Sequence, residues 1–237
     1  MGILVVSGTG TEIGKTVVTA ALAATALAAG RTVAVLKPAQ TGVGPTENGD
    51  VDEVARLAGA VTASELARYP EPLAPATAAR RADMAAVGPQ EIAGAAEKLA
   101  AEHDLVLVEG AGGLLVHFDE QGHSLADAAQ LMDAPVLVVA PPGLGTLNAT
   151  QLTAEALRSR GLRPLGVVVG SWPGQPDLAA RCNLVDLPAV CGAPLLGVLP
   201  EGAGGLRPAA FRTTAVQWLA PVLGGRWSAA HFLEQHG

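Results

Sequence analysis

Short apolar runs recur along this chain at residues 3–6, 32–36, 104–108, 135–140, 165–169 and 195–199. Most are separated by Ala-rich stretches long enough for a helix, at 15–29, 89–102, 146–160 and 177–190. Their apolar character is near-continuous rather than alternating, as in strands buried on both faces. Strands alternating with helices imply right-handed βαβ crossovers. The expected fold is therefore α/β: a doubly wound, mostly parallel sheet with helices on both faces. Aromatic residues make up only 3%, so the core must be built from Ala, Val and Leu. No linker, repeat or low-complexity segment divides the chain, and a single domain over 1–237 is expected, with 224–237 a peripheral tail. One interval, 41–84, breaks the rhythm. It is rich in Gly, Pro and charge at first, then carries a short helical piece at 51–57 and several prolines. Long excursions of this kind are usually functional or mobile.

Composition removes several classes of function. Hydrophobic residues are 49% and charged residues 16%, which argues for a folded chain. The net charge is −7 and there is no Lys/Arg block, so no nucleic-acid partner is expected. No apolar run approaches the ~18–20 residues needed to span a bilayer, and no membrane association is expected. No basic segment precedes an apolar one at the N-terminus, so a signal peptide is not expected. Met1-Gly2 suggests myristoylation, but Val6 stands where Ser or Thr is required. Cys182 and Cys191 have neither C-x-x-C spacing nor a nearby His pair, and read as reduced thiols in a cytoplasmic protein.

In doubly wound folds ligands sit beyond the carboxyl ends of the strands, and the polar residues here fall at those ends. The run Gly8-Thr9-Gly10-Thr11-Glu12-Ile13-Gly14-Lys15-Thr16 joins the first apolar run to an Ala-rich helix. Such a turn aims backbone N–H groups at a phosphate, and the helix N-terminus adds partial positive charge. Lys15 can reach the β- and γ-phosphates, and Thr16 can place a hydroxyl on Mg²⁺. The run is a variant of G-x-x-x-x-G-K-[ST]: position 9 is Thr, and Gly8 lies one residue further back.

The later turns add candidates. Lys37, at the end of the second run and followed by Pro38, is either a fixed cation for developing charge or a snorkelling surface lysine. Thr41 follows four residues on. Glu109 ends the third run ahead of Gly110-Ala111-Gly112-Gly113 and suits Mg²⁺; otherwise it is a solvated strand-end carboxylate. Asp50 is either a second Mg²⁺ carboxylate or a helix N-cap, and Asp52 and Glu53 compete for both tasks. Thr146, Leu147 and Asn148 begin a helix after Gly143-Leu144-Gly145, where backbone N–H groups suit a carboxylate or the turn is a plain helix N-cap. The five histidines lack metal-ligand spacing, and Ser171 lacks the Gly-x-Ser-x-Gly elbow of a serine hydrolase.

Taken together, the phosphate turn, Lys37-Pro38-Ala39-Gln40-Thr41-Gly42, Val108-Glu109-Gly110-Ala111-Gly112-Gly113 and Leu144-Gly145-Thr146-Leu147-Asn148 resemble, in order and spacing, the dethiobiotin synthetase family over residues 1 to about 200. The resemblance implies a P-loop NTPase-like fold. It also implies ATP-dependent closure of the ureido ring of dethiobiotin from 7,8-diaminononanoate and CO₂, in a homodimer. By the same resemblance Thr16, Asp50 and Glu109 hold Mg²⁺, and Lys37 and Lys15 are catalytic. Glu12, Ile13, Gly14, Lys15, Thr16 and Val17 contact nucleotide, as do Asp50, Glu109, Gly110, Ala111 and Gly112. Gly170, Ser171, Pro200 and Glu201 lie near the base. Thr11, Lys37, Thr41, Gly145, Thr146, Leu147 and Asn148 contact the diamine substrate, the last four across the dimer interface. Three positions depart from the family pattern: Gly10 replaces a common Asp, Ala39 a usual Val, and Ser171-Trp172-Pro173 an Asn-Asp suited to a purine base. The base preference, ATP or another nucleoside triphosphate, stays open. The rival reading is a regulatory switch ATPase of the chromosome-partition or division-site kind. Its deviant phosphate loop carries a second Lys where this chain has Gly10.

Overall fold

A computed structural model describes residues 2–236. Seven strands form one parallel sheet in the order β3-β2-β4-β1-β5-β6-β7. They are β1 (Ile3–Gly8), β2 (Val33–Thr41), β3 (Thr62–Tyr69), β4 (Leu105–Glu109), β5 (Val136–Ala140), β6 (Pro164–Trp172) and β7 (Leu195–Pro200). The helices are α1 (Lys15–Ala28), α2 (Asp50–Ala58), α3 (Pro75–Arg81), α4 (Pro89–Ala100), α5 (Leu125–Leu131), α6 (Thr146–Arg158), α7 (Leu178–Cys191), α8 (Pro208–Thr214) and α9 (Ala229–His236). The expected doubly wound α/β fold is the one observed. The chain builds β2, β3 and β4 on one side of β1, then crosses to build β5, β6 and β7 on the other. That reversal opens a crevice beyond the carboxyl ends of the central strands.

The pleat divides the core in two. Leu4, Val6, Val35, Leu107, Leu137 and Val139 face one cluster, covered by α1, α2, α7 and α8. Val5, Leu36, Val106, Val108, Val136 and Val138 face the other, covered chiefly by α3, α4 and α5. Successive residues of one strand thus bury on opposite faces, which is why the runs show no polar alternation. Ala20, Ala21, Ala23 and Ala24 on α1 are buried, so small side chains bring this helix close to the sheet.

Four features depart from the sequence expectation. First, β2 does not stop at Leu36; it runs to Thr41, paired with β3. Pairing of β2 with β4 ends at Leu36, so Pro38 lies beyond that ladder and its missing N–H is tolerated. Second, β3 was not anticipated. Thr62-Ala63-Ser64-Glu65-Leu66-Ala67-Arg68-Tyr69 is a half-exposed edge strand with no apolar run. With α2, β3 and α3 inside it, the 41–84 interval is no extended loop. Third, Gly170 and Ser171 lie within β6 and Pro200 within β7, rather than in turns after them. Fourth, residues 224–236, expected to be peripheral, are tied to the core. Trp227 is buried, and Phe232 meets both Trp227 and Trp172 edge-on or tilted. Gly237 of that segment, and Met1 of the Met1-Gly2 reading, lie outside the described residues. Among those residues, no helix is long and apolar enough to cross a membrane.

Removing the indole should therefore release α9. Trp227→Ala is expected to cost about 3–5 kcal/mol of folding stability, as for other buried aromatic truncations. Urea unfolding measures it, and a change under ~0.5 kcal/mol would show that the segment is not part of the fold.

Candidate nucleotide and substrate site

The phosphate turn leaves β1 and enters α1 through Gly14, whose φ of 92° opens the helix. Glu12 also holds positive φ, 58°, a conformation uncommon for a residue with a Cβ. Close backbone contact sets this shape. A Cβ on Gly170 would lie 2.0 Å from the Ile13 carbonyl oxygen, and one on Gly14 would lie 2.5 Å from the Gly170 carbonyl oxygen. A Cβ on Gly8 would meet the Ile13 side chain at 2.6 Å. Gly170 thus packs β6 against the turn.

Charge gathers where β1 and β4 end, beside the middle of β2. Lys37 Nζ lies 2.5 Å from Asp50 Oδ2 and 2.9 Å from Glu109 Oε1, and donates to the Gly110 carbonyl at 3.1 Å. Thr16 Oγ1 donates to the same Glu109 oxygen at 2.8 Å. Lys37 is 4% exposed and Glu109 1%. The snorkelling reading of Lys37 therefore fails, and so does a solvated Glu109. Burial opposes the Lys37 charge, but Glu109 and Asp50 outweigh it and hold the ammonium above its ordinary pKa. Lys15 donates to the Gly10 carbonyl at 2.6 Å. Burial first, and Lys37 second, lower its pKa to about 8.

The second Glu109 oxygen is buried without a partner. With the Thr16 hydroxyl and the Asp50 carboxylate it forms an all-oxygen donor set suited to a hard divalent cation. No cluster of three or more His, Cys, Asp or Glu suited to a metal occurs among the described residues. The capping alternative for Asp50 fails: Gly49 is the N-cap of α2 and Asp50 its first residue, and the Asp50 side chain turns to Lys37 while Asp52 accepts the Gly49 N–H.

These groups line a cavity of about 750 Å³. Of the expected site residues, Thr11, Glu12, Gly14, Lys15, Thr16, Lys37, Thr41, Asp50, Glu109, Ala111 and Gly112 line it. Gly110 contributes the carbonyl that Lys37 binds. Ile13, Val17, Gly170, Ser171, Pro200 and Glu201 do not line it, nor do Gly145, Thr146, Leu147 and Asn148. The last four begin α6, where Gly145 has φ 88° and the buried Thr146 hydroxyl has no partner. Asn183 steadies the turn ahead of them, donating to the Pro142 and Gly143 carbonyls at 2.7 and 3.1 Å. Gln40, Gly42, Val116 and the Pro72-Leu73-Ala74-Pro75 stretch also line the cavity and had been assigned no role. Gln40 had a signal, since it sits within the Lys37–Gly42 motif.

A strand–turn–helix shaped to wrap a phosphate, with a hydroxyl, a strand-end carboxylate and a second carboxylate from a helix start beside it, defines a P-loop nucleotide-binding protein. A family model described as an AAA domain matches residues 3–204. Solved structures of similar fold include the cell division ATPase MinD of Pyrococcus furiosus, at TM-score 0.57 and 21% identity, covering 91% of this chain and 97% of that one. A ParA family ATPase from Chlorobium tepidum follows at TM-score 0.56 and 14% identity, covering 89% and 90%. At such identities the likeness is one of fold. The ATP-dependent dethiobiotin synthetase BioD of Streptomyces coelicolor is 69% identical over the full length of both chains. That of Streptomyces avermitilis is 70% identical over 98% of each, and that of Mycobacteroides abscessus 48% over 93% of this chain and 96% of its own. This chain belongs to the ATP-dependent dethiobiotin synthetase family.

Two outcomes follow from the geometry. Gly170→Ala should lose about 1–3 kcal/mol by overpacking and weaken nucleotide binding, because its Cβ intrudes on the turn. Urea unfolding and nucleotide titration check it; wild-type values for both would remove Gly170 from the support of the turn. Lys15 supplies the pH dependence. Above its pKa of about 8 the lysine is neutral in the free protein, and phosphate binding recharges it. Nucleotide binding should therefore take up protons at about pH 9 and almost none at about pH 7, with affinity falling by up to ~10-fold per pH unit above 8. Calorimetry in buffers of different ionisation enthalpy measures the uptake, and Lys15→Gln should abolish it.

Proposed function

We infer that this chain makes dethiobiotin by an ATP-dependent ligase reaction on 7,8-diaminononanoate and CO₂. The observation that carries the residue-level reading is the buried convergence of Lys37, Glu109, Asp50 and Thr16 beside Lys15.

One substrate amine adds to CO₂ and loses a proton, giving a carbamate. Carbamate oxygen attacks the γ-phosphorus and ADP departs, leaving a carbamic–phosphoric anhydride. The second amine then attacks the carbonyl carbon, loses a proton to the departing phosphate or to water, and closes the five-membered ring. The phosphoryl step brings two anions together. In this reading Lys15 would leave the Gly10 carbonyl to bind the β- and γ-phosphates, and Lys37, held by Asp50 and Glu109, would be the fixed cation beside the transferring group. Thr16, Asp50 and Glu109 would hold Mg²⁺, which neutralises charge on the triphosphate when bound. Thr11 and Thr41 line the cavity and offer hydroxyls to the diamine. Ring closure is intramolecular, so the cavity walls contribute by positioning, and no protein nucleophile is needed.

The turn of Gly145, Thr146, Leu147 and Asn148 lies outside the cavity of its own chain. We read it as the substrate-carboxylate site supplied by a second copy in a homodimer. The exposure of Leu144 and Leu152 around this turn supports that reading. Gly170, Ser171, Pro200 and Glu201 are read as the surroundings of the base, beyond the phosphate turn. We place the reaction in the cytoplasm, where both free thiols, Cys182 and Cys191, stay reduced.

The deciding assay supplies purified protein with diaminononanoate, bicarbonate, Mg²⁺ and each nucleoside triphosphate in turn. Dethiobiotin is the expected product, and the rate order gives the base preference; hydrolysis without ring closure would favour a switch ATPase. Lys37→Ala should lower turnover by at least ~10²-fold, as for loss of a preorganised charge contact. Near-normal ring closure by a folded variant would remove Lys37 from the chemistry.

A further inference from the structure

The segment 42–49 carries neither strand nor helix, yet it delivers Asp50 to the site. Its start is held by the Gly42 N–H, which donates to the Tyr69 and Glu71 carbonyls, and the rest by a guanidinium on the edge strand β3. Arg68 Nε and Nη2 donate to the two carboxylate oxygens of Glu65, at 2.8 and 2.9 Å. Arg68 Nη1 donates to the carbonyls of Gly44, at 3.2 Å, and Glu47. Arg68 Nη2 also lies 3.6 Å from Asp52 Oδ2, the oxygen that accepts the Gly49 N–H at 2.8 Å.

Gly49 seats directly on this pair. A Cβ there would lie 2.6 Å from Glu65 Oε1, 3.0 Å from Gln40 Oε1 and 3.1 Å from Arg68 Nη2. Its φ of −98° is open to any residue, so close approach rather than backbone freedom requires the glycine. The next N–H, that of Asp50, donates to Gln40 Oε1 at 2.8 Å, and the Asp50 carboxylate then meets Lys37. Lys37 and Glu65 are register partners across β2 and β3, as are Gln40 and Arg68. The two strands therefore present the reacting lysine and the platform for Asp50 in one frame.

We propose that Arg68, paired with Glu65, is a positioning residue of the active site. It acts through Gly49 to fix where the Asp50 carboxylate stands relative to Lys37 and the metal-bearing nucleotide. The proposal rests on the reading of Asp50 as a metal ligand. Residues that orient a metal ligand typically govern affinity ~10–100-fold, so Arg68→Met should weaken the Mg²⁺-dependent part of ADP binding by about tenfold. Binding of ADP without metal should stay at the wild-type value.

The experiment titrates Mg²⁺ against protein with fluorescent ADP for wild type, Arg68→Met, Asp50→Asn and the double variant, with thermal unfolding of each. Support is a Mg²⁺ shift in Arg68→Met that disappears in the Asp50→Asn background. A lowered melting temperature with wild-type Mg²⁺ dependence, or effects that add in the double variant, would overturn the proposal and leave Asp50 as a ligand. Wild-type Mg²⁺ dependence in Asp50→Asn alone would overturn the reading of Asp50, and the proposal with it. If Arg68→Met does not fold, Gly49→Ala tests the same contact from the other side and should shift the Mg²⁺ dependence in the same direction.

Discussion

A lysine ammonium buried between two carboxylates holds this active site together. Lys37 and Glu109 are both almost wholly out of water. An ion buried alone costs several kcal/mol, so each is tolerable only with the other in place. The sheet supplies that pairing. Register sets Leu36 beside Val108, and the next residues on the two strands are Lys37 and Glu109. Asp50 closes the charge from α2. The site can therefore form only when β2, β4 and the start of α2 are all in position, which couples its geometry to the folding of the sheet.

The second constraint is space. The turn that would wrap the phosphates is moulded by close contacts at glycine: Gly14 and Gly170 meet backbone to backbone, and Gly8 lies under the Ile13 side chain. The first of these fixes the turn against β6. The positive φ of Glu12 is held within this frame. A backbone so fixed presents its N–H groups already aimed, which is the condition for electrostatic stabilisation without reorganisation.

Much of this was legible in the sequence, and what was not shares a cause. Buried parallel strands announce themselves as apolar runs, so β1, β4, β5 and β7 were found close to their ends. The strand β3 was missed because an edge strand needs only one apolar face at most, and this one uses Glu65 and Arg68 as active-site scaffolding. The continuation of β2 through Lys37, Pro38 and Gln40 was hidden for the same reason: polar and proline residues read as a turn when their only neighbour is an edge. Lys37 was singled out correctly, but as a strand-end group rather than one inside a ladder. Gly170 was linked to the nucleotide, yet its visible contact is with Ile13 and Gly14. Composition cannot distinguish a glycine that admits a ligand from one that admits a neighbouring strand. Trp227 and Phe232 belonged to a segment without periodicity, and only their packing shows that it is anchored.

The same architecture serves cell division and partition ATPases, so the fold alone does not select the chemistry. The selection lies in where the second cation comes from. The phosphate turn of this chain offers no second cation: position 10 is Gly, with open space around it. Here it comes from the adjacent strand, through Lys37, which reaches the site from the sheet interior. A cation rooted in β2 keeps its place relative to Glu109 and the cavity floor. That arrangement suits the proposed reaction, in which a second small molecule must lie against the γ-phosphate in one orientation. Thr41 lies four residues further along β2, past Gln40, so one strand carries the fixed cation and a hydroxyl that also faces the cavity.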